Sequence, residues 1–201
     1  MSESLAPQSL ELKAVLLLSL VEILTEDDRA ERVLAELDPE AQRQARDIAL
    51  VSQWMPSTTF HRVTESVVAL YGFRYLREAA RRSAAVGCVK FARKSIDAIR
   101  RLHGRQPEQV LQRIEQLAKA NTRGSTWSVD VTSPGRAVLR NVIPTHATRP
   151  DAMRAVFEGT LLAILDVLDR RVIDVQSRWE DPKHQALTVE CTWSPTHEAH
   201  A

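Results

Sequence analysis

Apolar and polar residues change their spacing along the chain near Gly124. Before this residue, apolar positions recur every three or four residues, which predicts a series of amphipathic helices. After it, apolar and polar residues alternate over 126–132 and 187–193, as in strands that bury one face. The segment 151–169 between them is apolar almost all round, which predicts a buried helix.

Local signals set the bounds of the N-terminal helices. The first helix is predicted over 9–24, and Asp38, followed by proline and glutamate, gives a typical start for another. Gly72 and Gly87 bracket an arginine-rich helix. The last helix before the change in spacing is predicted over 108–120.

The alternating C-terminal segments predict antiparallel strands with one dry and one wet face. Trp127, Trp179 and Trp193 all fall on the dry face. Ile173 shares that face with Trp179, because both belong to the same alternating segment. The helices are expected to cover this dry face.

The predicted fold is α/β (α+β), with a helix-rich N-terminal two-thirds packed on one face of a four-stranded antiparallel sheet. The long buried helix lies between strands 2 and 3 of that sheet. At 201 residues, one domain over 9–194 is expected, with flexible tails at 1–8 and 195–201.

Composition narrows the partners and the compartment. The formal net charge of +1 argues against nucleic acid as a partner. The apolar stretch 14–24 contains Glu22 and is shorter than the roughly 20 residues of a membrane span, so no span is predicted. Cys88 and Cys191 lie far apart and form no pair motif, which favours a reducing, cytoplasmic environment.

Several C-terminal segments together resemble a known family, and they are 127–131, 157–165, 172–176, 180–181 and 187–193. Their order resembles the ligand-binding fold of NO-signalling and Golgi-transport proteins, shared by TRAPP vesicle-tethering subunits and bacterial 4-vinyl-reductase-type domains. Gly159 matches a glycine that lets the long helix of that family pack tightly. The segments around Trp54, Phe60, Gly72 and Gly87 also resemble a myxobacterial paralogous family without an assigned function.

The resemblance implies a non-enzymatic bacterial module that binds a small molecule or acts in signalling and regulation. A structural protein–protein interaction subunit without a ligand is the alternative, as in the TRAPP assembly proteins. Family habit and the apolar first helix predict a homodimer. An enzyme is the least favoured reading, because the chain has no Gly-x-Ser-x-Gly elbow, phosphate loop or dinucleotide fingerprint.

Histidine and cysteine positions give no metal or cofactor prediction. The six histidines are scattered and lack metal-site spacing, and the metal-binding cysteine cluster of some family members is missing. A heme axial ligand at His61 or His103 is an alternative to ordinary surface histidines. Cys88 is broadly similar to the acylated cysteine of one TRAPP subunit type; otherwise it is a buried small hydrophobic side chain or a redox site.

Two candidate binding regions emerge. Residues for a pocket that holds a hydrophobic small molecule are Cys88, Phe91, Trp127, Phe157, Trp179 and Trp193. For the tryptophans, plain core packing is the alternative. The stretch 74–105 is basic, and its candidates for an anion or partner patch are Arg93, Lys94, Arg100 and Arg101. A solvated helical face, partly paired with acidic helices, is the alternative there.

Overall fold

From Thr126 onward, two strands, a long helix and two further strands follow one another in the predicted order. The structure, a computed structural model, describes residues 10–48, 50, 52–86, 107–144, 150–168, 170–180 and 185–194. The helices are α1 Ala14–Glu26, α2 Ala30–Ala35, α3 Pro39–Arg46, α4 Ser57–Val86, α5 Pro107–Gln112, α6 Ile114–Lys119 and α7 Ala152–Val167. The strands are β1 Glu11–Lys13, β2 Trp54–Pro56, β3 Thr122–Arg123, β4 Thr126–Ser133, β5 Arg136–Val142, β6 Val172–Trp179 and β7 Ala186–Trp193.

The N-terminal segment differs from the predicted helix over 9–24. Its first residues form β1, which pairs antiparallel with β2 on one side and β3 on the other. This small sheet buries Leu12 and delays the start of α1 to Ala14. A strand of three residues is too short to show the alternation of apolar and polar positions. The helical spacing of the residues that follow therefore led to the prediction of a helix from residue 9.

Two predicted helix signals are confirmed. The carboxylate of Asp38 accepts hydrogen bonds from the backbone N–H groups of Glu40 (3.1 Å) and Ala41 (3.0 Å) and so caps α3. At Gly72, inside α4, φ is +82° and ψ is 166°, a conformation essentially confined to glycine. The helix is kinked at that residue.

The main sheet confirms the predicted four antiparallel strands, in the order β4-β5-β7-β6. The predicted position of Ile173 is wrong. A bulge between Val172 and Asp174 shifts the register of β6, and Ile173 is 67% exposed. From Val175 onward the strand returns to the predicted alternation.

Helix α7 lies between α4 and the main sheet, as the prediction of a buried helix between the second and third strands of that sheet required. Its first turns, with Ala152 and Met153, belong to a hydrophobic cluster built on α1, α2 and α4. Its last turns, with Leu161 and Leu165, belong to a second cluster on the sheet. The helix therefore joins the two clusters along its length.

The apolar helix α1 packs inside the chain rather than on its surface. Leu17, Leu20 and Leu24 are buried, and α1 contacts α4. The apolar surface of α1 therefore no longer supports the predicted homodimer. The homodimer remains a prediction based on the family resemblance alone. Among the described residues, no helix is long and apolar enough to cross a membrane.

The contact between α4 and α7 depends on Gly159. A methyl group at this position would overlap the carbonyl oxygen of Arg77 and come within 2.9 Å of Ala80 Cβ and Arg81 N. Two of those atoms belong to backbone and cannot rotate away. The tight packing that the resemblance implied for Gly159 is therefore present.

We predict that Gly159→Ala lowers the free energy of unfolding by about 3 kcal/mol, because α7 must move away from α4. Urea unfolding followed by circular dichroism measures the loss. The neighbouring substitution Thr160→Ala is the control, with a change below about 1 kcal/mol. Equal effects of the two substitutions would contradict the close approach as the cause.

Candidate functional site

A cavity of about 30 Å³ lies where the two hydrophobic clusters meet. Its apolar lining comes from Leu10, Leu12, Ile143, Pro150 and Met153. Its aromatic lining is Trp127, Phe157 and Trp179, and its polar lining is His61, Thr122, Ser125 and Asn141. The small sheet, α4, the main sheet and α7 all contribute to this wall.

One row of side chains across the dry face of the main sheet supplies part of the wall. Trp127 on β4 lies opposite Asn141 on β5, Asn141 lies opposite Leu187 on β7, and Leu187 lies opposite Trp179 on β6. The ring of Phe157, on α7, meets the Trp127 ring edge to face, with centroids 4.8 Å apart and planes at 75°. The sheet register thus brings both tryptophans to one place.

His61 is buried in the second turn of α4 and lines the cavity. Burial lowers the pKa of His61 from 6.5 to about 4, so the imidazole is neutral at neutral pH. The interpretation of His61 as an ordinary surface histidine is therefore wrong. Ser57, His61 and Thr64 recur at spacings of four and three and are all buried, so a second, polar stripe of α4 also faces inward.

The polar groups near the tryptophan row differ in their hydrogen bonding. The amide of Asn141 donates to the carbonyl of Thr126 at 3.4 Å, and the hydroxyl of Ser125 lies 3.3 Å from that of Thr122. The indole Nε1 of Trp127 is buried, and it has no hydrogen-bond partner among the described residues. A buried donor without an acceptor is costly to the folded state.

The structure brings together part of the predicted pocket. Trp127, Phe157 and Trp179 line the cavity, whereas Trp193 is buried in the second cluster and is not part of its lining. Cys88 and Phe91 lie outside the described residues, and so do Arg93, Lys94, Arg100, Arg101 and His103. As binding residues, all of these remain predictions.

Three arginines in the described part of the basic stretch, Arg77, Arg81 and Arg82, pair with carboxylates. Arg81 makes a two-pronged contact with Asp166, at 2.6 and 2.8 Å. Arg82 pairs with Asp27 at 2.9 Å and with Glu26 at 2.8 Å. Over 74–86, these pairs favour a structural role for both arginines, which tie α4 to α7 and to the end of α1.

Cys191 is a packing residue. It lies opposite Ala137 in the main sheet and is buried. Burial raises the pKa of its thiol to about 12, so the nucleophilic thiolate does not form near neutral pH. Within the described ranges, no group of three or more histidine, cysteine, aspartate or glutamate side chains could hold a metal ion.

A larger open groove of about 470 Å³ runs between α3 and β2. Its wall carries Trp54, against which the Arg123 guanidinium stacks at 3.9 Å, and charges of both signs from Glu40, Arg43 and Asp47. These charged side chains are exposed to solvent. Exposed charges of mixed sign recognise a ligand weakly, and we therefore consider the smaller, mostly apolar cavity the stronger candidate.

We predict that stability falls as pH is lowered from 6.5 towards 4, because the unfolded chain takes up a proton on His61 that the folded chain does not. At pH 5 the His61 contribution to this loss is about 2 kcal/mol. In His61→Gln that contribution is absent, so urea unfolding at about pH 7 and pH 5 should show a smaller pH effect than in the wild type. Thr64→Ser, one turn further along α4, should retain the full pH effect, and an unchanged pH effect in His61→Gln would contradict the assignment.

Comparison with known proteins gives a fold but no relative in sequence. No protein-family model matches the chain, and no curated protein matches it. An H-NOX protein from K. algicida, in its Fe(II) unliganded form, has a TM-score of 0.66 at 7% identity, covering 92% of this chain and 98% of its own. A Cs H-NOX mutant gives a TM-score of 0.63 at 13% identity, covering 93% and 100%. A T. Tengcongensis H-NOX mutant gives 0.60 at 13% identity, covering 92% and 99%.

At these identities the similarity shows the fold alone. It agrees with the NO-signalling side of the resemblance drawn from the C-terminal segments, whereas the TRAPP and 4-vinyl-reductase side is not confirmed. The chain therefore has the same fold as these H-NOX structures.

Proposed function

We propose that this chain is a non-enzymatic signalling or regulatory module that binds a small molecule in the cavity lined by His61, Trp127 and Phe157. The observation that carries the proposal is the position of the cavity at the junction of the two hydrophobic clusters. Mostly apolar sites with a few polar groups are the usual form of small-molecule sites, and this one has room for only a small ligand. The likeness to H-NOX structures supports a ligand-binding role at the level of the fold.

The junction also suggests how binding would be transmitted. Phe157 and Trp179 line the cavity, and both pack against each of the two clusters. A ligand that pressed on these rings would act on the contact between α7 and α4 and on the edge strand β6 at once. A change in the relative stability of two packings is the physical basis of such a switch.

Heme is the group that the H-NOX comparison raises, because two of the similar structures concern heme and the distortion of its porphyrin. The described residues do not fit it. A cavity of about 30 Å³ is far below the roughly 300–1,000 Å³ of sites for larger ligands. The rings of Trp127, Phe157 and Trp179 line this space, and its described wall has no arginine or lysine to pair with the two heme carboxylates.

The cavity wall does not favour catalysis. Of the described residues that line it, His61 is the ionisable one, and its pKa of about 4 keeps it neutral and a weak base. A nucleophile paired with a base is the arrangement that covalent catalysis needs, and the hydroxyl of Ser125 contacts Thr122 instead. We therefore keep binding, without turnover, as the proposed activity.

We predict that a screen of small-molecule fragments against the full chain finds compounds that raise its melting temperature. At a concentration of one hundred times Kd, a bound fragment stabilises the folded state by about 2.7 kcal/mol, which corresponds to roughly 5–10 °C for a chain of this size. Differential scanning fluorimetry measures the shift, and native mass spectrometry measures the bound mass.

Cavity-filling variants locate the site. Leu12→Phe and Met153→Phe each place a ring against the cavity and should abolish the shift in melting temperature. The control is Leu50→Phe, the same leucine-to-phenylalanine substitution at an exposed position, which should preserve the shift. Circular dichroism verifies that each variant is folded. A fragment that binds the two filled variants as well as the wild type would refute the cavity as the site. If no fragment binds, the alternative of an interaction subunit without a ligand is favoured.

A further inference from the structure

The two edges of the main sheet differ in what lies beside them. Helices α5 and α6 both contact β4, the strand at one edge. At the other edge, β7 is the one neighbour of β6 among the described strands. Ile173 on β6 is 67% exposed, the largest exposed fraction of any large apolar side chain in the described part of the chain. The β6 edge is therefore the stronger candidate for pairing with a further strand.

The hydrogen bonds between β6 and β7 determine which backbone groups of β6 point outward. Directly after β6, the N–H of Glu180 donates to the carbonyl of Ala186 at 2.8 Å. Hydrogen-bonded and non-hydrogen-bonded pairs alternate along an antiparallel ladder, so every second residue back from Glu180 also bonds to β7. The residues between them, Val175 and Ser177, therefore direct their backbone N–H and C=O groups to the edge of the sheet.

A contact from α7 agrees with this assignment. The Nε of Arg154 donates to the Ser177 carbonyl at 3.1 Å, as expected of an oxygen that does not bond to β7. A carbonyl oxygen has two lone pairs, so it can accept a second hydrogen bond. Together with the N–H of Ser177 and the backbone of Val175, it forms a set of groups with which a further strand can pair.

The side chains of β6 on the wet face limit which strand can pair there. Asp174, Gln176 and Arg178 alternate along this face and are all exposed. Charges on an edge strand usually oppose pairing with other strands. A second, antiparallel copy of β6 with Gln176 opposite Gln176 is an exception, because it places Asp174 of each copy opposite Arg178 of the other.

This register also suits the backbone. It places Val175 of one copy opposite Ser177 of the other, and these are the residues whose backbone groups point to the edge. Neighbouring registers that keep the same backbone pairing move Asp174 or Arg178 opposite Gln176 and lose both ion pairs. Charge and hydrogen bonding therefore select the same alignment.

We propose that β6 is the interface of a homodimer, in which two copies pair antiparallel about Gln176 and join their four-stranded sheets into one sheet of eight strands. Each ion pair between Asp174 and Arg178 forms twice, because a twofold axis relates the copies. Ile173 lies at the end of the paired segment, opposite Trp179 of the second copy. The surface is separate from α1 and from the cavity, so the proposal goes beyond the proposed function.

An interface built on one short strand from each copy is small, so the dimer dissociates readily. Its dissociation constant is expected at roughly 10–100 µM. Sedimentation velocity of the full chain over about 1–300 µM measures it, because this range spans the expected transition from monomer to dimer.

Reversal of charge tests the alignment. Asp174→Arg alone, or Arg178→Asp alone, places like charges opposite each other twice and should raise the dissociation constant roughly tenfold or more. The double variant, Asp174→Arg with Arg178→Asp, exchanges the charges and should return to within roughly threefold of the wild type. The control is Asp130→Arg, the same substitution on the exposed face of β4 at the other edge, which should leave dimerisation unchanged. Circular dichroism verifies that each variant is folded.

Hydrogen exchange of the wild type tests the interface without a substitution. The backbone amides of Val175 and Ser177 should exchange several-fold more slowly at about 300 µM than at about 10 µM, because they are hydrogen-bonded in the dimer alone. The amide of Gln176 is the internal control, since it bonds to β7 in both states. Nuclear magnetic resonance of the ¹⁵N-labelled chain resolves the three signals.

Three results would overturn the proposal. The first is a wild type that stays monomeric up to about 300 µM, well above the expected dissociation constant. The second is a dimer that tolerates both single reversals, or that the double reversal does not restore, since another surface would then hold it together. The third is exchange at Val175 and Ser177 that does not change with concentration.

Discussion

The close approach of α4 and α7 at Gly159 is the constraint on which the rest of the structure depends. With no side chain at that position, α7 lies directly on the backbone of α4 between Arg77 and Arg81. Ion pairs flank the contact, between Arg77 and Glu158 and between Arg81 and Asp166. Except for Glu158, these side chains are partly exposed, so solvent screens the pairs and they add orientation more than stability. The distance between α7 and α4 is therefore determined mainly by the absence of a side chain at Gly159.

The position of α7 in turn determines the cavity. Phe157 precedes Gly159 by two residues and meets Trp127 across the space between helix and sheet. If α7 lay further from α4 it would press deeper onto the sheet, and the space of about 30 Å³ would close. The burial that keeps His61 neutral has the same origin, since α4 carries the histidine on the side that faces this space. Packing and electrostatics of the site thus share one cause.

Strand alternation made much of the sheet and part of the site predictable. Because side chains alternate between faces with a period of two, Trp127 and Trp179 could be assigned to one face before their partners were known. Register across four strands then brought them to the same row. Ile173 was misassigned because a bulge adds one residue without a clear signal in sequence. The small sheet was missed because its strands are short and join residues that are far apart in the chain.

His61 escaped sequence analysis for a different reason. Its companions Ser57 and Thr64 are small and polar, and a polar stripe on a helix is normally interpreted as a solvated face. The apolar residues of α4 indicated one inward face, whereas the helix has two, one towards the first cluster and one towards the cavity. Such a second face depends on what packs against the helix, and local sequence does not contain that information. The same limit applies to α1, whose apolar face suggested a partner until its contacts with α4 were seen.

Two proteins that share a fold need not share a binding site, because function depends on the residues that line the site. The similar H-NOX structures and this chain have the same arrangement of helices and sheet at 7–14% identity, which leaves nearly every side chain free to differ. Here the described wall is narrow and mostly apolar, with three aromatic rings and no aspartate, glutamate, lysine or arginine. Those properties follow from Trp127, Phe157 and His61 rather than from the fold, and any ligand has to match them. The chemistry of this site must therefore be deduced from its own residues, with the fold giving only the place where they meet.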